Sequence, residues 1–321
     1  MLPLLEKLAP GFALMLLLAA PCSSAAEDDI TRVLVQDGRQ LDVRISGQFE
    51  PAMQETLLGW LEQLAAALGR VYGHWPRQRW QISVAPATSA STSDPIPWGE
   101  VHRDSVDRVE FFTLTSASQA ELLQAWTGYH ELAHLLIPYR GWGDAWFTEG
   151  LASYYQNILA TRIGVMDEQQ MWQKLYDGFQ RGLSESRFDG TPLYEVSDAM
   201  RENGGFMRVY WSGAWYFLAA DARLRLQSGG QRSLDLALAE LNHCCAEQRL
   251  SVPEMVAKLD QLNRVVLFGT LYREVANSTH VPAFEDIFAS LGIDLVDGQV
   301  HLQQEGPGAR LRRQIASGPA L

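Results

Sequence analysis

Two histidines four residues apart, with a glutamate directly after the first, limit what this chain can fold into. His130, Glu131 and His134 stand in the order HExxH, and Glu149 follows in Trp146-Phe147-Thr148-Glu149-Gly150. On a helix, residues four apart share one face, one turn above the other. Both imidazoles can therefore meet one metal ion, and the Glu131 carboxylate can reach a water beside that ion. Fourteen residues, Leu135 to Thr148, separate His134 from Glu149. That is room for a loop and the start of a second helix to return with a third ligand. Two His and one Glu leave a fourth position open, as a catalytic zinc site requires. The stretch thus predicts one Zn2+ per chain on His130, His134 and Glu149, with Glu131 as general base.

The flanking residues supply the predicted scaffold. Ser118 and Glu121 form an S-x-x-E capping box at a helix start. Leu122, Leu123, Trp126, Tyr129, Ala133 and Leu136 give that helix a buried side, and Pro138 bounds its end. A second helix is expected from about Trp146 to Ile163, stopped by Gly164, with Glu149 in its first turns. Asp144 stands just before it, where it can cap that helix or orient a ligand histidine. Upstream, alternation in Val33, Val35, Leu41, Val43 and Ile45 around Asp37-Gly38 predicts a hairpin. Pro51 opens a helix striped by Leu57, Leu61, Leu64 and Leu68, with Gly73 to cap it. Trp80 to Val84 and Val109 to Leu114 read as strands, and Thr88 to Pro97 as a loop.

Past Gly164 the pattern is helical. Asp167 can cap a helix to about Gly182, and residues 206–227 form a long amphipathic one stopped near Gly229-Gly230. Ser233 starts another, and Ser251 with Glu254 makes a second capping box. Arg264 to Ala276 and Pro282 to Leu291 are further helices, and Asp297-Gly298 turns a short hairpin. Glu305 to Leu321 lack periodicity and are expected to fray, leaving Arg310, Arg312 and Arg313 solvated. Cys244 and Cys245 are adjacent, and a disulfide between them closes a strained ring, so two thiols on a helix are expected. Trp98, Trp142, Trp146, Trp211 and Trp215 fall near the presumed cleft and read mainly as core.

Composition narrows the class. The 321 residues are 47% hydrophobic and 20% charged, the balance of a globular chain. A net charge of −12 argues against nucleic acid as a partner. Lys7, the apolar run Gly11 to Ala20 and the small residues up to Ala26 read as a signal peptide. The run is short of the ~20 apolar residues that span a bilayer, so no stable membrane span is expected after cleavage. An exported product, periplasmic or extracellular, follows as an expectation.

The motifs carry a resemblance. HELAH followed by WFTEGLASYY resembles the gluzincin metallopeptidases, specifically the M1 and M61 aminopeptidase-like families, whose second element reads W-[LF]-x-E-G-[FL]-[AT]-S-Y. The thermolysin branch carries an Asp four residues after its third ligand, and Ser153 occupies that position here. Tyr210-Trp211-Ser212-Gly213-Ala214 is similar to the Y-x-x-G-A pattern of these families. The resemblance implies that the Tyr210 hydroxyl stabilises an oxyanion, and it extends over about residues 50–293. Departures are visible too. The His134-to-Glu149 loop is shorter than the usual M1 spacing, and GxMEN is absent. Trp98 to Ser105 is similar to the M61 GGLEH-R-x-S segment, with its carboxylate, Glu100, one residue early. Glu100 is thus either a substrate-amine ligand on a loop or a solvated carboxylate.

The sequence therefore predicts an α+β, thermolysin-like zincin catalytic domain: a small mixed-sheet lobe and a mainly helical C-terminal lobe. Its divisions are a signal peptide at 1–26, an α/β lobe at 27–117, catalytic helices and helical lobe at 118–293, and a hairpin and tail at 294–321. The expected activity is aminopeptidase-like hydrolysis of peptide or protein substrates. An endopeptidase of the same fold and a non-catalytic zinc or peptide-binding protein are the alternatives. Glu131 argues against the latter, because holding a metal does not require it.

Overall fold

The computed structural model describes residues 29–88, 93–139 and 143–319. The signal-peptide stretch, part of the Thr88–Pro97 loop and Trp142 lie outside the described residues. The chain begins with strands β1 (Ile30–Gln36) and β2 (Arg39–Ile45), joined at Asp37-Gly38, both with positive φ. Such a two-residue turn fixes the hairpin register. Leu34 then pairs with Leu41, and Val33 with Asp42. The alternation read from β2 holds, with Leu41, Val43 and Ile45 buried. The one read from β1 runs the other way: Val33 and Val35 face outward and are exposed.

Helix α1 (Pro51–Tyr72) follows with Pro in its first turn and Gly73 in the left-handed conformation as its stop. Its leucine stripe is fully buried. Strands β3 (Arg79–Pro86), β4 (Trp98–Arg103) and β5 (Asp107–Thr113) complete a sheet of order β1-β2-β3-β5-β4. The β2–β3 and β3–β5 pairs are parallel, and the outer pairs are antiparallel. β4 is therefore a sheet edge, not the loop expected there.

The helix predicted from Ser118 through the HExxH residues is two helices. The capping box at Ser118 forms and starts α2 (Gln119–Gln124), but Ala125 is extended, with ψ 127°. α3 (Trp126–Ala133) begins anew and runs on into a 3-10 turn, His134–Leu136. The break turns Trp126 out, so it is exposed where a buried place was expected.

The rest of the chain is built around two helices, α4 (Ala145–Arg162) and α7 (Phe206–Ser228). Both are buried on nearly all sides, so the amphipathic face expected for residues 206–227 is absent. Around them stand α5 (Glu168–Ser184), α6 (Leu193–Asn203), α8 (Leu234–Cys245), α9 (Val252–Asn263), α10 (Phe268–Ala276) and α11 (Glu285–Ser290). Asp167, Ser233 and Ser251 cap their helices as predicted. A hairpin of β6 (Ile293–Val296) and β7 (Gln299–Leu302) turns at Asp297-Gly298. The helix expected from Arg264 starts later, because Arg264 itself takes a left-handed conformation that ends α9.

Two sequence expectations fail outright. The tail folds into α12 (Pro307–Ser317), with Leu311 and Ile315 in the core. Arg312 is buried, not solvated: its Nε donates to Glu168 at 2.9 Å and its Nη1 to the Gly292 carbonyl at 2.8 Å. Cys244 and Cys245, expected as two thiols, are joined by a disulfide at the last residues of α8.

Candidate metal and catalytic site

α3 and α4 bring the predicted ligands together. His130, on α3, is buried, and its Nε2 lies 3.0 Å from Glu149 Oε2 on α4. His134 Nε2 lies 3.8 Å from the same oxygen. One ligand atom from each of the three falls within 4.8 Å of the others, a spacing that could hold one metal ion. His134 keeps helical φ and ψ although α3 formally ends before it, so the one-turn spacing survives.

Charge states suit a cation. Burial holds the His134 imidazole down at about 4, which leaves a neutral ring with a free lone pair. Burial works to raise Glu149, but the two imidazoles that face it, His134 and then His130, outweigh burial and keep the carboxylate ionised. His130 shows the reverse balance: burial disfavours its charge, while Glu149 and Glu131 raise its pKa. A carboxylate thus faces two imidazole nitrogens in a buried place, a hard and borderline donor set that zinc accepts.

Sequence reasoning missed three groups that set this geometry. Gln156 Oε1 lies 2.9 Å from His130 Nδ1. It accepts the Nδ1 proton and so fixes the tautomer with Nε2 facing the cluster. Gln156 stands seven residues after Glu149, two turns along α4, and that spacing was the available signal. Arg103 of β4 donates to the His134 carbonyl at 2.5 Å, which satisfies an orphan acceptor at the helix end. Ser197 of α6 accepts from the Trp146 backbone N–H at 3.0 Å and so caps α4.

That last contact corrects the reading of Asp144. It neither caps α4 with its side chain nor touches a ligand histidine; its Oδ1 accepts from the Tyr272 hydroxyl at 2.8 Å. Its backbone is left-handed, with φ 53°, and this turns the carboxylate away from the first turn. Glu100 is corrected as well. It lies on strand β4, opposite Glu110, not on a loop. Its neighbour Gly99 takes the inner face, where a Cβ would fall 2.6 Å from Glu131 Cγ. The Glu100 charge still acts on Glu131. Burial first, then the charges of Glu149 and Glu100, raise the Glu131 carboxyl to about 7 against the pull of His130.

Tyr210, on α7, stacks on the His130 ring with centroids 5.8 Å apart and planes at 20°. Burial, followed by the nearby Glu149 carboxylate, raises the pKa of its hydroxyl. The placement rests on a close helix crossing. A Cβ on Gly213 would lie 1.9 Å from the Trp146 carbonyl, and one on Gly150 would lie 2.3 Å from the Gly213 backbone. Glu149 precedes one of these glycines and Tyr210 lies three before the other. The glycines of the two motifs are therefore each other's contact. Trp146 and Trp215 are core, the latter donating to the Ala283 carbonyl at 2.8 Å, whereas Trp98 is exposed.

Known proteins resemble the chain in the same places. The family model of the M61 glycyl aminopeptidases matches residues 142–213, from the approach to Glu149 through Gly213. No curated protein matches the chain. An aminopeptidase N family protein from Idiomarina loihiensis superposes with a TM-score of 0.62 at 16% identity, covering 83% of this chain and 49% of that one. An M1 zinc metallopeptidase from Deinococcus radiodurans gives 0.53 at 16% identity, covering 79% and 53%. A mutant of an M1 zinc metallopeptidase from the same organism, bound to a Tyr-Ser-Ala substrate, gives 0.53 at 15%, covering 80% and 53%. The chain spans about half the length of these structures. At such identities the likeness is one of fold. Over residues 142–213 the chain is thus similar to the M61 glycyl aminopeptidases, and in fold it is similar to M1 zinc metallopeptidases.

Proposed function

We propose that the chain is a zinc-dependent peptidase that removes residues from free amino ends of peptides. The observation that carries this reading is the convergence of His130, His134 and Glu149 within 4.8 Å, with Glu131 beside them. The solved relatives are zinc metallopeptidases of the same fold, and one of them holds a tripeptide substrate.

His130, His134 and Glu149 would hold the zinc ion. When bound, the ion supplies Lewis acidity that polarises a scissile carbonyl and acidifies a water. Glu131 takes the proton of the attacking water on a carboxylate oxygen and passes it to the departing amine. Burial and the neighbouring carboxylates raise the Glu131 carboxyl in the metal-free chain, a shift toward holding the proton between the two halves of that transfer. Tyr210, kept protonated by burial, donates its hydroxyl to the oxyanion. Gln156 keeps the His130 lone pair aimed. Glu100 stands on the face of β4 opposite Gly99, so its exposed carboxylate acts on Glu131 through its charge.

Metal content and a Glu131→Gln variant test the reading together. Purified protein is expected to carry about one zinc per chain. The variant keeps that zinc, and peptide hydrolysis falls about 10²–10⁴-fold. Normal turnover in the variant would remove Glu131 from the mechanism, and zinc-free protein with both histidines intact would remove the metal. We also read residues 1–26 as an export signal; a mature amino terminus near Ala26 in a non-cytoplasmic fraction is the expected result, and an intact leader there contradicts it.

A further inference from the structure

A cavity of about 400 Å³ adjoins the ligand cluster. Trp126, Gln156 and Tyr210 form its near wall, and all three touch His130. Anything that enters it therefore meets the residues packed around a metal ligand. Its volume lies at the small end of the ~300–1,000 Å³ typical of ligand sites. That is room for a short piece of peptide.

The other wall is α5, which contributes Lys174, Asp177 and Arg181. Spacings of three and four place them on one helix face. Asp177 is already engaged, since it accepts from Gln173 Nε2 at 2.9 Å. The Arg181 guanidinium lies 4.9 Å over the Trp211 ring, so its donor fork is held in place. Among the described residues, neither Lys174 nor Arg181 forms an ion pair with a carboxylate. Two uncommitted cations in a cavity are notable on a chain of net charge −12. The acidic groups near the cluster come from other elements, Glu100 from β4 and Glu131 from α3, and the cavity takes none of its lining from β4. α5 thus gives the cavity two cations and one carboxylate, a net positive wall, whereas the carboxylates around the cluster stand on other elements.

We infer that this cavity receives the part of the substrate beyond the cleaved bond, and that Lys174 and Arg181 bind a carboxylate there. Preferred substrates are then short peptides ending one or two residues past that bond, or peptides with an acidic residue at that place. The word substrate rests on the peptidase reading above; the carboxylate site does not.

The test is calorimetric binding to the zinc-loaded full chain carrying Glu131→Gln, with three probes: alanine tripeptide, its carboxyl-terminal amide, and an amide with aspartate in the second position. The free acid is expected to bind about tenfold more tightly than the plain amide, the gain of one charge-assisted contact. A gain for the aspartyl amide as well assigns the site to acidic side chains; a gain for the free acid alone assigns it to chain ends. Adding Lys174→Met and Arg181→Met should erase either preference while zinc content is unchanged. Should the pair disturb folding through Trp211, Lys174→Met alone, on an exposed side chain, is expected to shrink the preference at least about threefold. Equal binding of all three probes, no binding of any, or a preference that survives loss of both cations overturns the inference. Hydrolysis of alanine tripeptide by the unmodified chain is scored separately. Selective binding without hydrolysis ends the peptidase reading and leaves the carboxylate site standing.

Discussion

At the scale of single residues, the site depends on how protons are held. Gln156 secures one of them, on His130 Nδ1. Gln156→Leu should therefore weaken zinc binding about 10–100-fold, measured by competition with a chelator, while the fold persists. Unchanged affinity would show that the tautomer needs no partner. His134 gives a pH prediction for the metal-free chain. Its folded pKa, about 4, lies below the ordinary 6.5. As pH falls, the unfolded chain takes that proton first and the folded chain later. This contribution to stability is complete above pH 6.5 and is lost as pH falls from 6.5 to 4. Relative to a His134→Gln variant, the parent's Tm should drop across that window in scanning calorimetry; parallel curves would contradict it. The convergence of His130 and His134 was legible in the sequence, because a period of 3.6 places two histidines on one face whatever surrounds them. Gln156 and Ser197 were harder to read, since a polar side chain on a helix declares no partner. Asp144 misled because it stands at a capping position, yet its backbone is left-handed.

At the scale of elements, the crossing of α4 and α7 sets where Glu149 and Tyr210 stand. A Gly213→Ala methyl would fall 1.9 Å from the Trp146 carbonyl, so the two backbones must part. The expected cost is about 1–3 kcal/mol of stability, read from urea unfolding, together with a lower kcat. A variant as stable and active as its parent would show that the crossing can yield. On the other side of the site, Gly99 permits β4 to lie against Glu131. This strand escaped the sequence because Trp98 to Arg103 lacks an apolar alternation, and its place comes from pairing with β5. The break at Ala125 escaped for a related reason: the capping box marks where a helix begins, and nothing local marks where tertiary packing ends it. The cap at Asp167 and the capping box at Ser251 were read correctly because the groups involved lie within four residues of each other.

At the scale of the molecule, the last helix closes the core. Arg312 reaches both Glu168 at the start of α5 and the carbonyl that ends the turn before β6. Removing residues 305–321 would uncover the apolar surface that Leu311 and Ile315 cover and strip Glu168 of its partner. A truncated chain is expected to unfold at a Tm lower by at least about 5 °C, measured by circular dichroism; an unchanged Tm would make α12 dispensable. Its short length and its glycines and arginines resemble those of a fraying end, so only long-range contact distinguishes the two. The crossing at Gly150 and Gly213 also has a consequence for motion. Helices that meet through side chains can slide, because rotamers re-seat at each step. Backbones that meet directly have nothing to re-seat, which leaves rotation about the point of contact. Glu149 and Tyr210 sit beside that pivot, so opening or closing of the cleft would sweep its rim widely and hardly change the distance between them.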